Sequence, residues 1–319
     1  MSSVYDNLIK FTKYIINFQN YLTIEVLKLP YVGELLLQNG NPLLRMERVS
    51  VAYERRPFGK HSHSYFEITV VNSGSGEFTT ERSIYPILAG DVFVFSSNER
   101  HCITACGDSG LDITMLHFEP RYLYHENDSL PNDSFVNFSF SHSPEFENRI
   151  PAVNAESIRS NHNMINNEFL NNDDSYPVAI KSYLNLILID LLRNHHYRPT
   201  SISCQSNCAF NMLLIYEYIE QHFCEEITLR TIANLVHLSP NYFSHLFRQL
   251  NGISLWDYIT AKRIEKAVQL LCSDNSNATV TEIALQCGFN STVNFNKAFK
   301  KHVGVTPSEI RKNPNLRPH

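Results

Sequence analysis

What the chain lacks narrows its class first. No apolar run approaches the roughly 20 residues that a bilayer-spanning helix needs; the longest candidate, Leu184 to Leu192, is broken by Asn185 and Asp190. The first residues lack the charged, apolar and small-residue order of a secretory signal, so the expected location is the cytoplasm. Cysteine is sparse and odd in number, 7 in 319 residues, which fits reduced thiols better than a disulfide framework. Cys204 and Cys208 lie near His195 and His196, yet thiols at such spacing in a linker composition are more often inert than zinc-binding. A general basic excess is also missing, since the formal net charge is −5. From Thr228 onward, however, 11 Lys and Arg face 5 Asp and Glu, a balance of +6, while the preceding residues hold 16 against 27, or −11. Positive charge is gathered in the last third, where a nucleic-acid partner would meet it.

Within that third, Thr279 to Pro307 carries the clearest pattern. Thr279 with Glu282 makes a capping box that opens a short helix through Ile283 and Ala284. Gly288 stands where that helix must stop, and Ser291 can cap a second helix with Phe295 and Phe299 four apart on one face. The same plan occurs upstream. Thr228 to Ala233 matches Thr279 to Ala284, Ser239-Pro240 supplies a cap and first helical residue, and Tyr242 to Arg248 parallels Asn294 to Lys300. Each second helix ends at a glycine, Gly252 or Gly304. Between the copies, Ser254 with Asp257 starts a helix to about Cys272, with Ile259, Ile264, Ala267, Val268 and Leu271 as its buried stripe. Such a rod spans roughly 28 Å at 1.5 Å per residue, close to the ~34 Å between successive turns of one major groove. Two helix-turn-helix units joined by a rigid helix are therefore expected, with Phe243, Leu246, Phe247, Phe295 and Phe299 inside. Asn241, Ser244, His245 and Arg248 should point outward from the first reading helix, and Thr292, Val293, Asn296, Lys297 and Lys300 from the second. Asn suits adenine, Lys suits guanine or phosphate, and an exposed Val suits a thymine methyl.

The first two thirds divide differently. Residues 1–42 begin with Leu8, Phe11, Ile15, Phe18 and Leu22 at helical spacing, read as an amphipathic helical extension. From about Leu43 to Phe118 the period is two, with short β-rich runs separated by Gly, Ser, Asn and Pro, as in a sandwich or small barrel. Glu156 to Leu170 and Tyr176 to Arg193 are helical, and the second is apolar on more than one face, which points to burial against the barrel and against a second subunit. The expected divisions are a barrel over 43–150, a helical pair over 151–195, a linker over 196–208 and the tandem units over 209–319.

The arrangement LSPNYFSHLFRQLNGISLWDYITAKRIEKAVQLL followed by VTEIALQCGFNSTVNFNKAFKKHVGVTPSEIRK resembles the DNA-binding domain of the AraC/XylS family of bacterial transcription regulators over about 100 residues. Upstream, His61-Ser62-His63 with Glu67 and Gly74, then Ala89-Gly90-Asp91 before His101, resembles the two motifs of the cupin barrel, the effector domain of many members. Ser96 and Ser97 depart from the second motif, as does Asn98 where a glycine is usual. The resemblance implies an α+β chain with a cupin-like barrel and an all-α tandem domain. It also implies double-stranded DNA, RNA polymerase and a small-molecule effector such as a sugar as partners, a homodimer, and an activator rather than an enzyme. His61, His63, Glu67 and His101 converge on one ion in metal-binding cupins, and such a set suits Fe, Mn, Ni or Zn. They are expected here to line an effector pocket without metal or other cofactor. The competing readings are a cupin metalloenzyme and a DNA-binding protein whose barrel only dimerises.

Overall fold

The computed structural model describes residues 26–27, 33–36, 42–51, 60–119, 122–123, 142, 146–197, 207–273 and 278–312. The strands are β1 (Val26–Leu27), β2 (Gly33–Leu36), β3 (Pro42–Val51), β4 (Phe66–Thr80), β5 (Ile84–Leu88), β6 (Val92–Phe95), β7 (His101–Phe118) and β8 (Arg149–Ile150). All pairings among them are antiparallel, in the order β1-β3-β7-β4-β6-β8, with β2 on β3 and β5 on β4. The sequence suggests many short strands, but β4 and β7 run for 15 and 18 residues. The Gly and Ser residues at 73–76 do not end β4. They are absorbed where its register against β7 shifts, near Val71/Ser73 and Gly74/Gly76, so each long strand bends and serves both ends of the sheet.

Two expectations need correction. Residues 1–42 are not wholly a helical extension, because β1 and β2 lie inside that range and pair with β3. Their backbone groups cover the outer edge of β3, a non-local gain that periodicity cannot report. The helix expected from Leu8 to Leu22 lies outside the described residues. The supposed linker also begins too early. Tyr197 is fully buried, with ring centroids 5.9 Å from Phe66 and 4.9 Å from Phe146, so the chain leaves the sheet domain only beyond it.

Helices α1 (Glu156–Asn171) and α2 (Tyr176–Asn194) form a hairpin against the sheet. Ile158 and Ile165 of α1 and Ile180, Leu184, Ile187, Leu188 and Leu191 of α2 are buried, while Met164, Leu170, Val178 and Leu186 remain exposed. The helical third comprises α3 (Asn207–His222), α4 (Leu229–Leu235), α5 (Pro240–Asn251), α6 (Leu255–Cys272), α7 (Val280–Gln286), α8 (Thr292–Val303) and α9 (Pro307–Lys312). One apolar cluster runs from Leu44, Phe66 and Phe118 of the sheet through Ile158 and Leu184 to Ile215, Phe243 and Tyr258, so the first helix-turn-helix unit shares its core with the sheet domain. The second unit has its own cluster, built on Ile264, Ala267 and Leu271 of α6 with Ile283, Phe295, Phe299 and Ile310. Phe243, Phe247, Phe295 and Phe299 are fully buried, each worth roughly 1.5–3 kcal/mol of apolar transfer.

Candidate functional site

The tandem units are built by the caps that the sequence announces. Thr228, Ser239, Ser254, Thr279 and Ser291 each accept a hydrogen bond from the backbone N–H three residues on, and at Thr279 Glu282 completes the box. Gly252 and Gly304 end α5 and α8 in the left-handed region, at φ 73° and 85°. Burial of Phe243, Leu246, Phe247 and Leu250 turns Asn241, Ser244, His245 and Arg248 outward on α5, with Tyr242 beside them. Burial of Phe295 and Phe299 does the same for Val293, Asn294, Asn296, Lys297 and Lys300 on α8, while Thr292 is half-buried. Tyr242 and Asn294 are additions to the expected surface.

Helix α6, about 27 Å long at 1.5 Å per residue, separates the two reading helices, and its side chains fix their relation. Arg263 donates to the carbonyls of Phe223 and Glu225 below the first unit and lies 5.8 Å from the ring of Phe289 in the second. Gly288, at φ 82°, brings its Cα so close that a Cβ there would stand 2.5 Å from the carbonyl oxygen of Cys224. Arg311, by contrast, is spent on the carbonyl of Ala278 and is structural.

In the sheet domain, His61 and His63 lie on the extended segment before β4, with His61 bridged to His101 by backbone hydrogen bonds of 3.1 and 3.0 Å. Glu67 is near the start of β4 and His101 begins β7, so the structure brings all four motif residues together, and all four are buried. It adds His117, directly across from Glu67 in the β4–β7 register. No motif marks His117; the only signal in LDITMLHF is that it shares the inward parity of Leu111, Ile113 and Met115. Burial would raise the Glu67 carboxyl, but the charge of His101 and hydrogen bonds from His101, His117 and His63 hold it well below its ordinary value. Burial pushes His63 down to about 4. Asn98 takes the φ of 62° that a glycine would supply. Asp91 is tied to the N–H groups of Leu88 and Ala152 and to Arg149, a structural role.

The segment carrying these histidines is gripped by the helical third. Ser62 donates its N–H to the carbonyl of His302 at 2.9 Å, and its hydroxyl lies 3.1 Å from His302 Nδ1 in the last turn of α8. Ser64 donates N–H and hydroxyl to the two carboxylate oxygens of Glu265 on α6, at 2.6 and 3.0 Å. Lys262 on α6 reaches Glu119 after β7 at 2.6 Å and Glu220 of α3 at 3.0 Å, with its ammonium 5.9 Å from the Tyr65 ring. Burial opposes the charge of Lys262, and the two carboxylates more than restore it, holding its pKa well above the ordinary value. A cavity of about 140 Å³ lies in this seam. Arg45, Glu47, His61, His63 and Tyr65 form its sheet wall, and Ala261, Ile264, Glu265, Val268 and Gln269 of α6 with Val303 of α8 form its helical wall. Glu67 and His101, expected to line the effector pocket with His61 and His63, stand behind that wall instead.

Residues 43–163 match the model of the AraC-like ligand binding domain, and residues 232–313 match a helix-turn-helix domain model. The chain belongs to the AraC family. It is a transcription regulator with an N-terminal ligand-binding domain and a C-terminal helix-turn-helix DNA-binding domain. It is similar to the HTH-type transcriptional activator RhaS of Klebsiella pneumoniae, 26% identical over 258 residues that cover 80% of this chain and 87% of that one. RhaS of Escherichia coli is 25% identical over 273 residues, covering 82% and 92%. Among solved AraC-type folds, ToxT of Vibrio cholerae aligns with a TM-score of 0.54 at 12% identity, over 86% of this chain and 98% of that one. A second ToxT structure, bound to (E)-4-(8-methylnaphthalen-1-yl)but-3-enoic acid, aligns with a TM-score of 0.55 at 14% identity, over 84% and 97%.

Proposed function

We propose that this AraC-family chain activates transcription from a double-stranded DNA site read by α5 and α8, under control of a small molecule held in the seam cavity. The observation that carries the control is the bond from Ser62 to His302: the residue between the two cavity-lining histidines is tied to the last turn of the second reading helix. An occupant touching the sheet wall and α6 together has different contacts if the two domains shift, which is what coupling requires. The cavity has an apolar side in Ala261, Ile264, Val268 and Val303 and a polar side in Arg45, Glu47, Glu265 and Gln269. That division suits a compact molecule with an apolar face and several hydrogen-bonding groups, such as a sugar.

Asn241, Ser244, His245, Arg248, Val293, Asn296, Lys297 and Lys300 are the residues proposed to contact DNA, with Thr292 at the margin. Activation, with RNA polymerase as partner, is supported by relatives named as transcriptional activators. A homodimer paired through α1 and α2 is supported by the exposed Leu170, Val178 and Leu186. The function so proposed involves no chemical conversion in the sheet domain. Operator affinity measured with and without candidate compounds tests the reading. A compound that shifts affinity in the parent, with the shift lost in Glu265→Ala, supports it; a shift that survives in Glu265→Ala removes the seam from the mechanism.

A further inference from the structure

Behind the cavity wall, the histidine cluster presents a hydrogen-bonding mismatch. Oε2 of Glu67 lies 3.0 Å from Nε2 of His63, 3.1 Å from Nε2 of His117 and 3.3 Å from Nε2 of His101. The other carboxylate oxygen accepts from the Thr69 hydroxyl, which fixes the orientation of the group. On the far side of two of the rings, His63 Nδ1 is 3.1 Å from the carbonyl of Tyr65 and His101 Nδ1 is 2.9 Å from the carbonyl of Glu99. A carbonyl only accepts, so each of these Nδ1 atoms carries the hydrogen. In a neutral imidazole Nε2 is then a bare lone pair, and both lone pairs face a carboxylate oxygen that is itself only an acceptor. Protonating both rings would repair the bonds but bury two imidazolium ions with ring centroids 5.2 Å apart.

A cation between the four groups removes the conflict without either cost. Backbone carbonyls on the remote ring nitrogen are the usual means of orienting metal-binding histidines. Bonds of about 2.1 Å to an ion separate neighbouring ligand atoms by roughly 3.0–3.4 Å in octahedral or tetrahedral arrangements, the range found around Glu67 Oε2.

We propose that the sheet domain binds one divalent first-row transition-metal ion through His63, Glu67, His101 and His117. An imidazole-rich set favours such an ion over Mg²⁺ or Ca²⁺, which prefer oxygen. His61 lies within ligand reach of His63 and His101 and also lines the cavity, so the ion has an exchangeable position on the side where the effector enters. Metal binding does not depend on the regulatory reading, and the two fail separately.

The test uses the full chain purified without a histidine tag, stripped with chelator and titrated with Co²⁺ as the probe. One Co²⁺ per chain is expected, with visible ligand-field absorption, and Glu67→Gln and His117→Ala each weaken binding by at least about 100-fold. His162→Gln, a buried histidine outside the cluster, binds as the parent does. Circular dichroism is recorded for every variant, and His117→Gln, which retains volume and polarity, replaces any that unfolds. Less than about 0.1 Co²⁺ bound per parent chain overturns the proposal, as does a folded His117 variant that binds like the parent.

Discussion

Replacing Lys262 with Met tests whether the seam is held by the buried charge cluster. The ammonium lies 2.6 Å from Glu119 and 3.0 Å from Glu220, and the three residues are 6%, 1% and 9% exposed, so water screens neither pair. At about 3 Å and an effective dielectric of about 20, each attraction is roughly 5 kcal/mol before desolvation is subtracted. The net effect is smaller, because three charges have been taken out of water. Removing one member leaves two buried carboxylates without their cation, which typically costs about 3–5 kcal/mol. Met preserves most of the side-chain volume, so little of that loss comes from a cavity. The assay is urea unfolding followed by circular dichroism, with the triple variant Lys262→Met, Glu119→Gln, Glu220→Gln as the control. The single variant should lose about 3–5 kcal/mol and the triple variant should recover most of it. A loss below about 1 kcal/mol, or a triple variant no more stable than the single, refutes the reasoning.

Three further outcomes are expected. Gly288→Ala should destabilise the chain by at least about 1–3 kcal/mol in the same assay, because it combines a φ of 82° with a Cβ placed 2.5 Å from the Cys224 carbonyl, a backbone atom with little room to yield. Lys297→Ala should weaken operator binding by on the order of 1–3 kcal/mol if it reads a base and flatten the salt dependence by about one unit if it meets a phosphate, both measurable by fluorescence anisotropy at several salt concentrations. His162, buried and with Nε2 unpartnered, is pushed by desolvation down to about 3. Between pH 6.5 and 3 the unfolded chain therefore binds a proton that the native state refuses, so stability falls with pH, by about 2 kcal/mol from pH 7 to pH 5 for this group alone. His162→Gln should show a correspondingly shallower decline.

The helical third was legible because its rules are local. A cap is read from residues three apart, such as Thr279 and Glu282, and the core stripe of α8 from Phe295 and Phe299; the structure places each accordingly. The sheet domain and the seam depend on residues distant in sequence. Lys262, among Arg263, Glu265 and Lys266, reads as part of a solvated face until Glu119, 143 residues away, is brought beside it. His117 belongs to the cluster only through its cross-strand partner Glu67, 50 residues earlier. The β pairing of residues 26–36 was lost for the same reason: its gain lies in covering β3, and no window along the chain contains both partners. Arg263 and Arg311 look like further DNA-facing charge in the sequence, yet backbone carbonyls occupy both.

The central claim is that occupancy of the seam is felt at the reading helices. It is tested most directly by footprinting and measuring operator affinity for the full chain before and after a compound that thermal-shift screening shows to bind the sheet domain. A change in affinity worth about 1–3 kcal/mol, or a changed footprint under one of the two reading helices, is expected. Equal affinity and equal footprints with the compound bound would contradict it.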